Sequence, residues 1–301
     1  MQKINDSFIM RPIVDICFKE LMRNPAVRAS FAAAIMNCRP EEVEETYLMP
    51  THLQKGKEEE EKQGILDVRV LLKQGTQIGI EMQVNYFEYW DERILFYLCK
   101  MFTEQLMKGD PYGKLQRCIH VSILDFIHFP EDQECYRKIH FRDGRTGKLF
   151  SDKLEIQMLE LRKLPEGMAG GDGIFAWMKF LSGRSREEFE NMAKTNEYLK
   201  EACDTLIKLS ADDEKRLEYE ARERALRDYN TQIQSAMELG EARGLKKGMS
   251  EGISKGMSKG INKGKKMVLR NLFLRGISAE DGAAIVEMDI SAVREMFRQW
   301  R

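Results

Sequence analysis

Asp67 and Glu81 lie within the stretch ILDVRVLLKQGTQIGIEMQVN, residues 65–85. Hard divalent cations such as Mg²⁺ or Mn²⁺ take oxygen ligands and keep several waters for substrate and nucleophile, so two carboxylates brought together can hold one. The stretch supplies a way to bring them together. Leu66, Val68, Val70 and Leu72 alternate onto one face with Ile78, Ile80, Met82 and Val84, while Asp67, Arg69, Gln77, Gly79, Glu81, Gln83 and Asn85 share the other. Period-two alternation on both sides of a short polar segment predicts a β-hairpin. Its loop, Lys73-Gln74-Gly75, puts glycine where a type I turn followed by a bulge needs a positive φ, and pairs Leu72 with Thr76. Counting back along both strands sets Asp67 opposite Glu81. The polar side of a hairpin is ordinarily the wetted face of a sheet, and that reading stands beside the metal reading. Against it, Gly79, Glu81, Gln83 and Asn85 are poor choices for an exposed strand, where threonine and lysine fit better.

The hairpin needs neighbours to hold it. Ahead of it, DICFKELM and VRASFAAAIMN carry the helical period and are separated by Asn24-Pro25, which predicts two helices. VEETYLMPTHLQ is a weak strand candidate, and KGKEEEEKQG is expected to be a solvated loop whose consecutive glutamates have nothing to fix them around an ion. After the hairpin, FEYWDERILFYLCKMFTEQLMKGD repeats apolar residues at Phe87, Ile94, Leu95, Leu98, Phe102 and Leu106, a helix ended by Gly109-Asp110-Pro111. RCIHVSILDF, ECYRKIHF and KLEIQMLEL read as three further strands. From FAWMKFL to residue 235 the pattern is helical and increasingly charged. Helices, strands, a helix and more strands in that order predict an α+β domain.

Glycine then recurs at every fourth position from Gly240 to Gly264, interleaved with Leu245, Met249, Ile253, Met257 and Ile261. Each glycine opposes a helix by about 1 kcal/mol relative to alanine, so a marginal helix or flexible basic linker is expected. The small-xxx-small spacing also suits self-association by close backbone approach, although the interleaved lysines exclude a bilayer span. Beyond it, Leu269, Leu272 and Phe273 make an apolar face and Gly276 stops the helix. Ser278 with Asp281 resembles a capping box, and Ser291 is expected to begin a last helix bearing Val293, Met296, Phe297 and Trp300. Three short helices of this kind either read DNA as a helix-turn-helix or merely pack.

With 301 residues, 43% hydrophobic and 32% charged, the chain has room for one substantial domain and an appendage. No run approaches the roughly 18 apolar residues of a membrane span, and MQKINDSFIM lacks the apolar core of a signal peptide, so a cytoplasmic protein without membrane contact is expected. The six cysteines form no C-x-x-C pair and are expected to be buried free thiols. The net charge of −1 is unevenly divided: residues 243–275 hold ten Lys or Arg against Glu251, a local +9, which leaves −10 for the remainder. An acidic body with a basic arm results. No P-loop, nucleophile elbow, dinucleotide fingerprint or H-x-x-x-H pair occurs.

Several motifs in order and spacing resemble the recombination-promoting nuclease and transposase-like family, a branch of the PD-(D/E)XK nuclease superfamily. They are D-x-x-F-K at Asp15, Phe18 and Lys19; Asp67; I-E-M-Q from Ile80 to Gln83; Arg93 and Tyr97; ILDF at 123–126; LEL at 159–161; and the glycine-every-four tail with its G-I-S-x-E-D ending. The resemblance implies a restriction-endonuclease-like mixed sheet flanked by helices, with a helical C-terminal extension. On this reading residues 1–215 form the nuclease-like domain, 216–265 a charged helix and basic linker, and 266–301 a small helical unit. It further implies a metal-dependent DNA endonuclease in which Asp67, Glu81 and the Met82 carbonyl hold Mg²⁺ or Mn²⁺. Gln83 stands where the superfamily has lysine, a departure this branch shares. Asp15 or Glu20 would add an outer carboxylate and Lys19 a phosphate contact. The alternative is a catalytically decayed nuclease fold that binds DNA or self-associates through its tail.

Overall fold

Asn24 separates the first two helices because it ends one and caps the next. In α1 (Asp15–Arg23) the buried residues are Cys17, Phe18, Leu21 and Met22, and α2 (Pro25–Met36) starts with the Asn24 side chain accepting from Ala26 N at 3.0 Å. Pro25 occupies the first turn, where its missing N–H costs nothing. The structure, a computed structural model, describes residues 8–53, 65–165 and 173–300. The segment KGKEEEEKQG lies outside these.

Six strands follow: β1 (Thr46–Leu48), β2 (Val68–Leu72), β3 (Gln77–Gln83), β4 (Cys118–Leu124), β5 (Tyr136–Arg142) and β6 (Leu149–Glu160). Between β3 and β4 runs α3 (Trp90–Thr103), and after β6 come α4 (Ile174–Ser182), α5 (Arg186–Thr195), α6 (Glu197–Ala211) and α7 (Asp213–Leu274). The strands form one sheet in the order β1-β2-β3-β4-β6-β5, with β3, β4 and β6 parallel and the other pairs antiparallel. The fold is α+β, a mixed sheet flanked by helices with a helical C-terminal part, as the sequence predicts.

Both faces of the sheet are covered. Ile78, Ile80, Val121 and Ile123 pack with Phe18, Leu21, Phe31, Trp177 and Phe180 in the main core. On the opposite face Tyr97, Leu98 and Met101 of α3 cover Leu66 and Cys118, and Trp90 and Ile94 cover Leu124 and Met158. The wetted-face reading of the hairpin is therefore corrected: Arg69, Gln77 and Glu81 are buried on the α3 side. Leu66 is a second correction, since it packs beneath α3 and not with Val68. Of the six cysteines, all free, Cys17, Cys118, Cys135 and Cys203 are buried, whereas Cys38 is half-buried and Cys99 exposed.

The chain divides into two units, Met1–Ala225 and Leu226–Arg301. In the second, the glycine-every-four segment is helical throughout as part of α7, where a marginal helix or flexible linker was expected. Gly276 (φ +78°) ends the turn after α7, Ser278 accepts from Asp281 N to start α8 (Ala279–Val286), and α9 (Ile290–Gln299) is capped by Asp289, two residues before Ser291. Leu269, Ala283, Val286, Val293 and Phe297 form this unit's own core, with Phe273 edge-on to Phe297 at 5.1 Å.

Candidate active site

The β2–β3 ladder runs from Val68↔Ile80 to Leu71↔Gln77, and Leu72 N–H bonds Thr76 O at 2.9 Å around a turn with Gly75 at φ +92°. That is the register the turn predicts. The next residues outward are Asp67 and Glu81. There β2 stops, because Leu66 turns its N–H to Thr51 O at 3.0 Å. The ladder bond from Met82 N–H is made instead by a side chain: Asp67 Oδ2 accepts it at 2.9 Å. A residue in an extended strand presents its N–H and C=O to the same edge, so the Met82 carbonyl addresses the side on which Asp67 lies.

Asp67 thus lies just beyond the end of β2, within reach of α1. Its side chain is 21% exposed, and Oδ1 lies 3.1 Å from Lys19 Nζ of α1. Lys19 also lies 3.8 Å from Asp15, which Arg222 Nε holds at 2.9 Å. Glu20 turns elsewhere, to Arg23 at 2.8 Å and Lys215 at 3.4 Å.

Glu81 is deeper, 3% exposed beneath α3. Arg93 of α3 pairs with its Oε1, and the guanidinium lies 5.2 Å from the Tyr97 ring centroid and 5.7 Å from that of Trp90. Glu81 Oε2 is buried with no hydrogen-bond partner among the described residues. Burial first, then the Asp67 charge, push the Glu81 carboxyl up to about 7, while Arg93 pulls it down. A buried carboxylate oxygen without a hydrogen bond among the described residues, near a second carboxylate, is chemistry that a hard cation would match.

Gln83 lies one step further out, half-buried, with Nε2 donating to Asn85 O at 2.9 Å. Ser122 and His120 of β4 stand level with Glu81 and Gly79. His120 is fully buried, its Nδ1 3.4 Å from Ser122 Oγ, and burial followed by the Arg93 charge holds it down to about 3. It is neutral at physiological pH, one ring nitrogen a donor and the other an acceptor.

Among the described residues no group of three or more His, Cys, Asp or Glu gathers as a metal cage. Two carboxylates, a carbonyl and waters nevertheless suit Mg²⁺, which sheds its waters reluctantly. The donor set fits a hard cation on chemical grounds.

The sequence pattern of the PD-(D/E)XK nuclease family transposases matches residues 12–236. The chain belongs to this family. Its match takes in α1, the whole sheet, Asp67, Glu81 and Gln83, and ends within α7 before the glycine column. Membership supports a nuclease-like function, and nucleases of this kind generally use divalent metals and take DNA as substrate. No curated protein and no solved structure matches the chain. No helix among the described residues is long and apolar enough to cross a membrane.

One residue had no role assigned from sequence: Arg93, the counter-ion of Glu81. A signal for it exists. Trp90, Ile94, Tyr97, Leu98 and Met101 form the buried stripe of α3, and Arg93 falls one turn after Trp90, at the stripe's margin, where a cation must find an anion or leave the interface.

Proposed function

We propose that the protein is a metal-dependent DNA endonuclease that hydrolyses phosphodiester bonds in the cytoplasm. Asp67, Glu81 and the Met82 carbonyl would hold Mg²⁺ or Mn²⁺. The observation that carries this reading is the buried and half-orphaned carboxylate of Glu81, within electrostatic reach of Asp67, which Met82 N–H fixes at 2.9 Å. When bound, the cation would supply positive charge to the phosphate and lower the pKa of water.

The remaining tasks fall to the chain's own side chains. Arg93 holds Glu81 in place through Oε1 and is itself held on two aromatic rings. Lys19, 43% exposed at its side chain, offers a cation to a phosphate oxygen beside Asp67. Gln83 orients water or a phosphate oxygen by hydrogen bonding, since a carboxamide neither carries a proton nor a full charge. Asp15 acts through Lys19 and does not touch substrate.

Plasmid nicking with Mg²⁺ or Mn²⁺ tests the reading. Asp67→Ala, checked for folding by thermal unfolding, is expected to lose nicking by ~100-fold or more, the scale of removing one electrostatic anchor of a transition state. Equal nicking by both proteins sinks the proposal.

A second reading is favoured by Gln83 and by the tail. Without a lysine at that position the fold would persist as a decayed nuclease that binds DNA or self-associates. The tail glycines support self-association, since a Cβ added at any of the seven from Gly240 to Gly264 would meet nothing within 4 Å among the described residues, which give no packing reason for them. No nicking with either metal, together with retained DNA binding and a sedimentation mass above the monomer, selects this reading.

A further inference from the structure

The last strand pair outgrows the sheet that carries it. β4 pairs with β6 only from Leu154 onward, so Leu149–Lys153 have β5 alone as partner and project as a two-stranded ribbon. The pairing is irregular there, with register shifts between His140 and Phe141 and between Phe141 and Arg142, the kind of irregularity that increases local twist. An isolated two-stranded ribbon is marginal in water, yet the tip is tied. Asp143 Oδ1 accepts from Arg145 N at 3.1 Å, Thr146 N at 2.6 Å and Thr146 Oγ1 at 2.7 Å, and Asp143 N–H bonds Lys148 O at 2.8 Å.

The ribbon carries a charge opposite to that of the body. Lys138, Arg142, Arg145, Lys148 and Lys153 stand against Asp143, already used by the tip, and Asp152. None of the five cations has a carboxylate partner among the described residues; Arg142 donates to Gly147 O and Lys153 to Leu115 O. At the base of the same hairpin, by contrast, Arg137 pairs with Asp132 and His140 with Glu155. Between the unpaired cations sit exposed apolar side chains: Ile139, Phe141, Leu149 and Phe150, the last 85% exposed. Lysines on an edge strand can serve only to deter edge-to-edge pairing, but bare phenylalanines beside them would undo that protection.

Basic side chains interleaved with exposed aromatics on a rigid two-stranded ribbon match a nucleic acid duplex: phosphates take the cations, and a groove of B-DNA admits a β-ribbon whose apolar residues meet base edges. We propose that the β5–β6 ribbon is a DNA-binding arm of this protein. It rests on the reading of DNA as the substrate. Glu81 is level with Met158 across the parallel strands, and Phe150 lies eight residues before Met158, roughly 26 Å at 3.3 Å per residue. The arm therefore addresses DNA flanking the scissile phosphate and contributes to binding, with Asp67 and Glu81 left to the chemistry. Tying the tip in advance lowers the ordering cost of that contact.

The test measures binding of the full chain to a 30-base-pair duplex in EDTA, so that cleavage plays no part. The triple variant Lys138→Glu, Arg145→Glu, Lys148→Glu is compared with a charge-matched control at exposed sites elsewhere, Lys194→Glu, Lys200→Glu, Lys208→Glu. Losing three phosphate contacts is expected to flatten the plot of log Kobs against log salt by about 2.7, while the control keeps a slope near that of wild type. Phe150→Ala is expected to weaken binding about 10-fold with the slope unchanged. Equal slopes for the two triple variants, or wild-type affinity in Phe150→Ala, would overturn the arm. So would a smaller sedimenting species in Phe150→Ala with DNA binding intact, which would make the ribbon a contact between copies. A protein that fails to nick plasmid yet shows ribbon-dependent binding refutes the endonuclease and leaves the arm standing.

Discussion

Glycine serves the nuclease-like body and the C-terminal helix in opposite ways. At Gly79 in β3 an added Cβ would stand 2.7 Å from Met101 Sδ and 2.9 Å from Leu66 Cδ1, because α3 lies directly on the strand. Along α7, from Gly240 to Gly264, the same addition would meet nothing within 4 Å among the described residues. In the body, then, the residue is dictated by what already packs there. In the helix it lowers intrinsic stability with no contact in return, so any benefit must come from something that approaches from outside. Burial divides likewise: the charged Glu81 is trapped under α3, whereas the apolar Leu245, Met249, Ile253, Met257 and Ile261 lie in solvent.

The sharpest probe of this contrast is pH. The folded-state pKa of Glu81, about 7, exceeds its ordinary 4.5, so the folded form holds the proton more tightly than the unfolded form. Its contribution is fully present below pH 4.5 and is lost as pH rises through 7. Up to about 3 kcal/mol should disappear between pH 4.5 and 7.5 in metal-free wild type, and Glu81→Gln should lack that component. Urea unfolding at the two pH values measures it, and identical pH dependence in both proteins would contradict the burial argument. Next in size is Gly79→Ala, expected to destabilise by about 2 kcal/mol through overpacking against Met101 and Leu66, read from the urea midpoint. Smallest is Gly256→Ala, which should act with the opposite sign and stabilise α7 by up to about 1 kcal/mol, seen as a rise in the melting of helical circular dichroism. A loss of stability at Gly256→Ala would show that close approach there matters more than helix propensity.

The hairpin was legible because each of its signals is local. Alternation from Leu66 to Val84 and a glycine at the loop fix which residues face each other, and the Val68↔Ile80 register follows. Burial of the polar face was not legible, since it depends on where α3 lands, and α3 is joined to β3 by a connection whose path no periodicity encodes. The same limit hid the Arg93–Glu81 pair, which unites residues of two different elements. Leu66 was misplaced for a further reason. Alternation assumes an unbroken strand, and β2 breaks one residue before Val68, sending Leu66 beneath α3 and leaving Asp67 to meet Met82. Lys19 was visible within D-x-x-F-K, but its 3.1 Å approach to Asp67 is a product of tertiary packing. In the second unit, Ser278 was readable as a cap from its spacing to Asp281, whereas Ser291 yielded to Asp289 because either could start the same apolar stripe.

The early stop of β2 bears on how one acid is aimed. Where β2 ends before its neighbour β3, the backbone amide of Met82 is left to a side chain, so the geometry of Asp67 is set by the length of a strand.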